Sequence, residues 1–109
     1  MNIASLPFAL AVLAVPAAVV AQPSADERAE ARRYFQTGVQ RYQARDFAAA
    51  LDAFQNAYRI APHPSVRKNI AACYDELGRA AEAVTEFELF LSESPNVPAP
   101  ERRTIETHL

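Results

Sequence analysis

Apolar side chains recur at helical spacing along most of the chain after residue 24, beginning at a helix start signal. Ser24 followed by Glu27 is typical of a capping box, in which each side chain bonds the backbone of the other residue. Apolar positions then return every three or four residues over residues 31–42, as on one face of an amphipathic helix. The pair Arg45-Asp46 interrupts this spacing, so the first predicted helix ends before it.

Three more stretches with the same spacing follow, and each ends at a residue that disfavours a helix. They run from Phe47 to Pro62, from Val66 to Gly78 and from Ala80 to Pro95. Proline lacks the amide proton that an inner helical turn requires, and glycine is the usual residue just past a helix end. The sequence therefore predicts two successive helix pairs.

The last twelve residues begin a further element. Residues 97–100 form a proline-rich connector, and residues 101–109 open another helical pattern in which Ile105 and Leu109 lie four apart. No stop signal follows. Three interpretations remain: a short capping helix, the front of a longer chain, or a face that a partner or a second copy covers.

Three landmarks of the two helix pairs share a single period. The members of each of three residue pairs lie 33 residues apart: Ala50 and Ala83, Phe54 and Phe87, and Pro62 and Pro95. A small residue, three intervening residues, a Phe and a closing Pro resemble the signature of the tetratricopeptide repeat, a helix-turn-helix unit of about 34 residues.

The first copy follows the family pattern more closely than the second. Tyr34 stands where the family usually has Trp, and Gly38 and Ala57 are in place. In the second copy the early aromatic residue, the glycine and the late alanine are replaced by Arg67, Ala71 and Phe90. The resemblance spans residues 31–97, nearly all of the chain after the first 21 residues.

The resemblance implies an all-α fold built as a right-handed stack of antiparallel helical hairpins, an α-solenoid. Residues 22–30 would lead into the first helix, residues 31–64 and 65–97 would form two repeats, and residues 98–109 would be a connector and the start of a third helix that the chain cuts short. Small residues such as Gly38 let helix axes approach closely, while Phe54 and Phe87 are expected to fill the space between hairpins.

The resemblance also implies a partner-binding surface, because the first helix of each hairpin lines the concave face of such an array. The residues expected to face a bound peptide or protein are Arg32, Phe35, Val39, Tyr42, Gln43, Lys68, Asn69, Ala72, Asp75 and Glu76. The alternative is that Phe35 and Val39 pack against the preceding leader or a neighbouring part of the chain, and that the charged residues are only solvated. Families that grip a C-terminal carboxylate use a Lys and an Asn where this chain has Phe35 and Val39, so that clamp is not expected.

The first 21 residues are predicted to be an export signal. The run from Ile3 to Ala21 has no charge and ends in small or short residues before Gln22, as a signal-peptidase site requires. The run is also long enough to span a bilayer, so an uncleaved membrane anchor over residues 3–21 is the main alternative, and a buried core helix is a further one. Both interpretations export the domain: a cleaved signal predicts a periplasmic or secreted protein, and an uncleaved one predicts a domain anchored to the membrane by residues 3–21.

Composition excludes several classes of function. The 109 residues carry a net charge of only -2, so nucleic-acid binding is not expected. The single Cys73 cannot form an internal disulfide and is expected to be a buried small hydrophobic residue. His63, between two prolines, is expected to be a turn residue. No nucleophile stands beside a His in a recognisable pattern, so neither an enzyme, a metal site nor a cofactor is predicted.

Charge is divided between the two predicted repeats. Residues 31–64 carry five Arg against two acids, whereas residues 65–98 carry three bases against six acids. Such a division could orient a bound peptide. Equally, adjacent hairpins could attract one another weakly, or the charges could serve only solubility.

Three functions follow from these observations. The first is an exported scaffold that binds a peptide or protein partner on the concave face. The second is a structural module that packs into a homo-oligomer or an envelope assembly through an uncovered end at Phe87, Phe90 and Leu91. The third is a targeting or regulatory front end of a longer chain.

Overall fold

A computed structural model describes residues 21–109, which form five α-helices and no strand. The helices are α1 (Ala25–Gln43), α2 (Phe47–Ile60), α3 (Pro64–Glu76), α4 (Ala80–Glu93) and α5 (Ala99–His108). The predicted all-α class is confirmed for this part of the chain. The predicted export signal and its alternative as a membrane anchor lie, apart from Ala21, outside the described residues.

The helices begin and end where local chemistry predicts. The amide of Glu27 donates to Ser24 Oγ over 3.1 Å, and the Ser24 amide donates to Glu27 Oε1 over 2.9 Å, so the predicted capping box is present. The hydrogen bond from the Ser24 backbone amide, and after it one from the Ser24 side chain, lower the pKa of the Glu27 carboxyl. Helices α2 and α4 end two residues before Pro62 and Pro95.

Each of the first three helices packs against the next, in alternating directions. At one end of α1 and α2, the rings of Tyr42 and Phe47 lie 5.1 Å apart between centroids. Farther along the same two helices, the rings of Phe35 and Phe54 lie 5.4 Å apart. The contacting residues are close in sequence near the loop and farther apart in sequence away from it, so α1 and α2 are antiparallel.

The loops within the two helix pairs have the same backbone geometry. Arg45 and Gly78, 33 residues apart, are the two residues of the described chain with positive φ, 62° and 74°. In each loop the following amide reaches back five residues, from Asp46 to Arg41 over 2.9 Å and from Arg79 to Tyr74 over 2.8 Å. This is the Schellman arrangement, in which a left-handed residue closes a helix end.

The main hydrophobic core lies between α1, α2 and α3. Its buried members are Ala50, Leu51, Phe54, Val66, Ile70 and Cys73. Gly38 on α1 makes this packing feasible, because a Cβ atom added there would lie 2.6 Å from both Cδ1 and Cε1 of Phe54. The predicted role of Gly38 in close helix approach is therefore explained by the ring of Phe54.

Packing around α4 differs from the expectation in two places. Phe87, which corresponds to Phe54, is only half-buried, whereas Phe54 is 1% exposed. Phe90, expected at an uncovered end, is buried to 5% exposure, and Lys68 Nζ of α3 lies 5.1 Å from its ring centroid. The proposed self-association surface therefore does not include Phe90.

Helix α5 is attached mainly by polar contacts. Lys68 Nζ on α3 lies 2.7 Å from Glu101 Oε1, and Arg102 Nη2 donates to the carbonyl oxygens of Leu91 and Ser94 over 3.4 and 3.3 Å. Ile105 is the buried apolar residue of this helix. The predicted helical pattern at the end of the chain is thus present, beginning two residues earlier than expected.

Candidate functional site

The ten residues predicted to face a partner lie on α1 and α3, five on each helix. Four are exposed: Arg32, Gln43, Asp75 and Glu76. Six are half-buried: Phe35, Val39, Tyr42, Lys68, Asn69 and Ala72. The exposed residues all have charged or amide side chains, so the solvent-exposed part of this surface is mainly polar.

Three of the half-buried residues belong partly to the core. Phe35, Val39 and Tyr42 pack against the buried cluster between α1, α2 and α3. Phe35 in particular contacts Phe54, the most completely buried large side chain. Packing against the chain itself, the alternative raised for Phe35 and Val39, is what the structure contains. Substituting any of these three residues would change the fold as well as the surface.

Tyr42 connects α1 to the far end of α3. Burial raises the pKa of the Tyr42 hydroxyl, and the negative charge of nearby Glu76 raises it further. At the opposite end, Arg32 and Phe35 of α1 line a cleft together with Val66 near the start of α3. The end of α1 therefore lies near the end of α3, and the first half of α1 lies near the start of α3. The two helices are thus side by side and parallel.

Two residues predicted to face a partner are already engaged inside the protein. The Lys68 ammonium is held between Glu101 and the ring of Phe90, as described above. The Asn69 side-chain amide donates to the carbonyl of Ser65, one turn earlier, over 3.2 Å. Both side chains therefore have less freedom to contact a partner than Arg32 or Glu76.

The strongest polar cluster joins three helices and was not predicted in the sequence analysis above. Arg67 on α3 donates from Nε to Glu93 over 2.9 Å and from Nη1 to Glu86 over 3.0 Å. Its guanidinium lies 4.3 Å from the ring centroid of Tyr58 on α2, and the Tyr58 hydroxyl donates to Glu93 over 3.3 Å. Hydrogen bonding to Arg67 lowers the pKa of Glu93.

A signal for this cluster was present in the sequence. Glu86 and Glu93 lie seven residues apart, so they share one face of α4. Arg67 occupies the position that corresponds to Tyr34 in the first pair, where an aromatic residue was expected. An arginine at that position and two acids on the facing helix together predict an ion-pair cluster.

The division of charge is visible on the surface. Arg32, Arg33 and Arg41 on α1 are exposed and make no ion pair within residues 21–109. In contrast, the cations of α3, Arg67 and Lys68, both pair with acids of α4 or α5. The α1 side of the surface is therefore basic, while exposed acids border its α3 side.

The remaining candidate residues have structural positions. Cys73 is fully buried, as predicted, and burial raises the pKa of its thiol to about 11. His63 caps α3, since its Nδ1 accepts from the Ser65 amide over 3.2 Å. Over residues 21–109, no group of three or more His, Cys, Asp or Glu side chains is placed to hold a metal ion.

No helix within residues 21–109 is long and apolar enough to cross a membrane. Comparisons with protein-family models, with curated proteins and with solved structures find no match for this chain.

Proposed function

We propose that the protein is an exported scaffold that binds a peptide or protein partner on the surface shared by α1 and α3. In this proposal the helix pairs are tetratricopeptide-type repeats stacked as a right-handed α-solenoid, and α1 and α3 line its concave face. The protein has no catalytic role and uses no cofactor. Nucleic acid is not a partner, in keeping with the small net charge.

The observation that carries the proposal is one 33-residue period that appears in both the sequence and the loop geometry. In the sequence it is the spacing of the Ala, Phe and Pro landmarks. In the structure it is the spacing of Arg45 and Gly78, which adopt the same left-handed conformation. Repeats that stack on their neighbours form an extended concave binding surface.

Export rests on residues 1–21 alone. The uncharged run that ends at Ala21 supports a signal peptide and a periplasmic or secreted location. If the run is not removed, residues 3–21 would anchor the domain to a membrane instead. The amino-terminal sequence of the protein purified from its own cells distinguishes these outcomes, since cleavage would expose Gln22.

The binding surface is tested with exposed residues, because Phe35 and Tyr42 also support the core. Immobilised protein captures candidates from the exported fraction, and one identified candidate is purified and titrated directly. We expect Arg32→Glu and Glu76→Lys to weaken its binding, while Glu88→Lys on α4 leaves it unchanged. Circular dichroism must be equal for all variants. Equal affinity for all three variants would contradict the proposal.

Self-association is the second candidate function, and one observation favours it. Phe87 and Leu91 lie four residues apart on α4, so they share one face of the helix, and both are only half-buried. Partly exposed apolar residues on one face are typical of contact surfaces between chains. Light scattering across a dilution series tests this function: a dimer that Leu91→Glu dissociates would support it, and a monomer at every concentration would exclude it.

A further inference from the structure

A cleft opens where the first half of α1 meets the end of α2 and the start of α3. Its volume is about 280 Å³. Its apolar lining consists of Ala31, Phe35, Ala57, Ala61 and Val66, of which Ala31, Ala57 and Val66 are buried. The polar lining consists of Arg28, Arg32 and His63. The cleft therefore combines an apolar interior with three basic side chains.

The size of the cleft limits what can occupy it. An apolar cavity of about 150 Å³ holds a benzene molecule, and sites for whole small ligands begin at roughly 300 Å³. A volume of about 280 Å³ therefore accommodates one large apolar side chain with part of its backbone. Small residues create this space, since Ala31, Ala57 and Ala61 each leave a gap that a larger side chain would fill.

The charge around the cleft favours an acidic occupant. No acid lines it, and Arg32 is exposed without an ion pair in the described part of the chain. Arg28 Nη1 donates to the carbonyl of Pro23, which holds that guanidinium in place. A neighbouring cleft between α3, α4 and α5 differs, because Glu93 and Glu101 line it beside Lys68.

We propose that this cleft binds a segment of the partner in which a leucine or phenylalanine adjoins an aspartate or glutamate. The apolar side chain contacts Ala57, Val66 and Phe35, and the carboxylate pairs with the Arg32 guanidinium, whose planar donors match a carboxylate. This inference rests on the proposed scaffold function and names the chemistry that the scaffold recognises.

The charges around the cleft favour a segment of a partner as its occupant over the first residues of the same chain. Residues 3–21 are apolar but contain no acid, so they offer nothing to the three basic side chains. A second copy of the chain could offer Glu88 and Leu89, which are adjacent and exposed on α4. That occupant is one outcome of the test below.

The test uses three short labelled peptides that are blocked at both ends, so that none carries a terminal charge. The first places leucine before aspartate and glutamate within a glycine and serine sequence. The second replaces leucine by serine, and the third replaces the two acids by their amides. We expect the purified protein to bind the first peptide about tenfold more tightly than either of the others in fluorescence anisotropy titrations, about 1.4 kcal/mol.

Three variants locate the binding site. Arg32→Gln removes the charge that pairs with the carboxylate, and Ala61→Leu fills the cleft from its half-exposed edge. Both should weaken the first peptide about tenfold, in line with a lost charged hydrogen bond or a lost apolar contact. Arg33→Gln is the matched control, because Arg33 is equally exposed on the same helix but lines a different cleft with Glu30 and Tyr34.

Equal binding of the three peptides, or an equal loss in Arg33→Gln and Arg32→Gln, would overturn the inference. A dimer of the free protein that Ala61→Leu abolishes would assign the cleft to a second copy and overturn it too. If Ala61→Leu binds the identified partner with unchanged affinity while Arg32→Glu and Glu76→Lys bind it more weakly, the cleft is not the binding site. The scaffold function then stands without it. Equal circular dichroism of all variants shows that each one folds.

Discussion

The two helix pairs have the same loop geometry, but different interactions hold their helices together. In α1 and α2, the absence of a side chain at Gly38 allows the ring of Phe54 to pack against the helix backbone. In α3 and α4, the corresponding Phe87 is half-buried, and Arg67 instead ties the helices through Glu86 and Glu93. Two helix pairs with the same loop geometry are therefore stabilised differently, the first mainly by apolar packing and the second also by ion pairs.

The position of each pair in the stack explains this difference. Helix α2 lies between α1 and α3 and buries five residues, whereas α4 packs mainly against α3 and buries two. Stabilisation by the hydrophobic effect grows with the apolar area removed from water. A helix with one neighbour has less such area available, so polar contacts contribute a larger share of its stability.

Truncation of the two corresponding phenylalanines should give the largest contrast. Phe54→Ala is expected to lower the free energy of unfolding by about 3–5 kcal/mol, because it leaves a cavity in the core. Phe87→Ala should cost about 1–2 kcal/mol, since a half-buried ring removes less area from water. Chemical denaturation of both variants measures this, and equal losses would show that the two pairs are packed alike.

Removing the charge of Arg67 should weaken the second pair specifically. Arg67→Met keeps most of the side-chain volume but leaves Glu86 and Glu93 without their cation, at an expected cost of about 1.5–3 kcal/mol. Arg79→Met is the control, because its ion pair with Glu82 is about half exposed and such pairs contribute about 0–1 kcal/mol. Similar losses in thermal unfolding of the two variants would contradict a special role for Arg67.

A methyl group at position 38 should disturb the first pair. Gly38→Ala places a Cβ atom against the Phe54 ring, and overpacking of this kind costs about 1–3 kcal/mol. The double variant with Phe54→Leu should recover part of that loss, because the smaller side chain can make room. Denaturation of the single and double variants gives the coupling, and strictly additive losses would show that the two residues do not interact.

The two loops offer a smaller contrast of opposite sign. Arg45 and Gly78 both have positive φ, which costs about 1 kcal/mol for a residue with a side chain. Arg45→Gly should therefore stabilise the protein by up to about 1 kcal/mol. The gain is reduced by the loss of the contact between the Arg45 guanidinium and the Phe47 ring. Gly78→Ala should destabilise it by a similar amount, although no atom lies near the added Cβ. Thermal unfolding of both variants checks the signs.

Acid should produce the smallest effect, through Glu93. The pKa of Glu93 is lowered in the folded protein, so its carboxyl binds a proton more tightly in the unfolded chain than in the folded one. The ionised carboxylate therefore stabilises the fold at neutral pH, and this stabilisation is lost as the pH falls below about 4.3. We expect Glu93→Gln to reduce the loss of stability between neutral and acid pH by less than about 1 kcal/mol. Glu88→Gln, which removes an acid without an ion pair in residues 21–109, should leave the loss unchanged.

The ends of the helices could be predicted because they depend on neighbouring residues. Ser24 and Glu27 form a capping box within one turn, and Pro62 and Pro95 prevent continuation of α2 and α4 whatever surrounds them. The pattern of apolar residues likewise placed Phe54 and Cys73 in the core. These features need only local geometry and helical periodicity.

The candidate surface was less predictable, because its character depends on which helices meet. Periodicity placed Lys68 and Asn69 on α3, but only the packing revealed that Lys68 pairs with Glu101 and that Phe35 shares a contact with Phe54. The cleft beside Arg32 is formed by three helices, and so no single stretch of sequence describes it.

The sequence by itself therefore determined the helices, their limits, their apolar faces and the division of charge between the two pairs. Tertiary structure alone decided that Phe90 is buried, that Phe87 is only half-buried, and that Arg67 forms ion pairs from α3 to α4. The physical reason is the distance along the chain over which each kind of interaction acts. Helix propensity and capping act over a few residues, whereas the partners of Arg67 lie 19 and 26 residues away and meet it only when the helices pack.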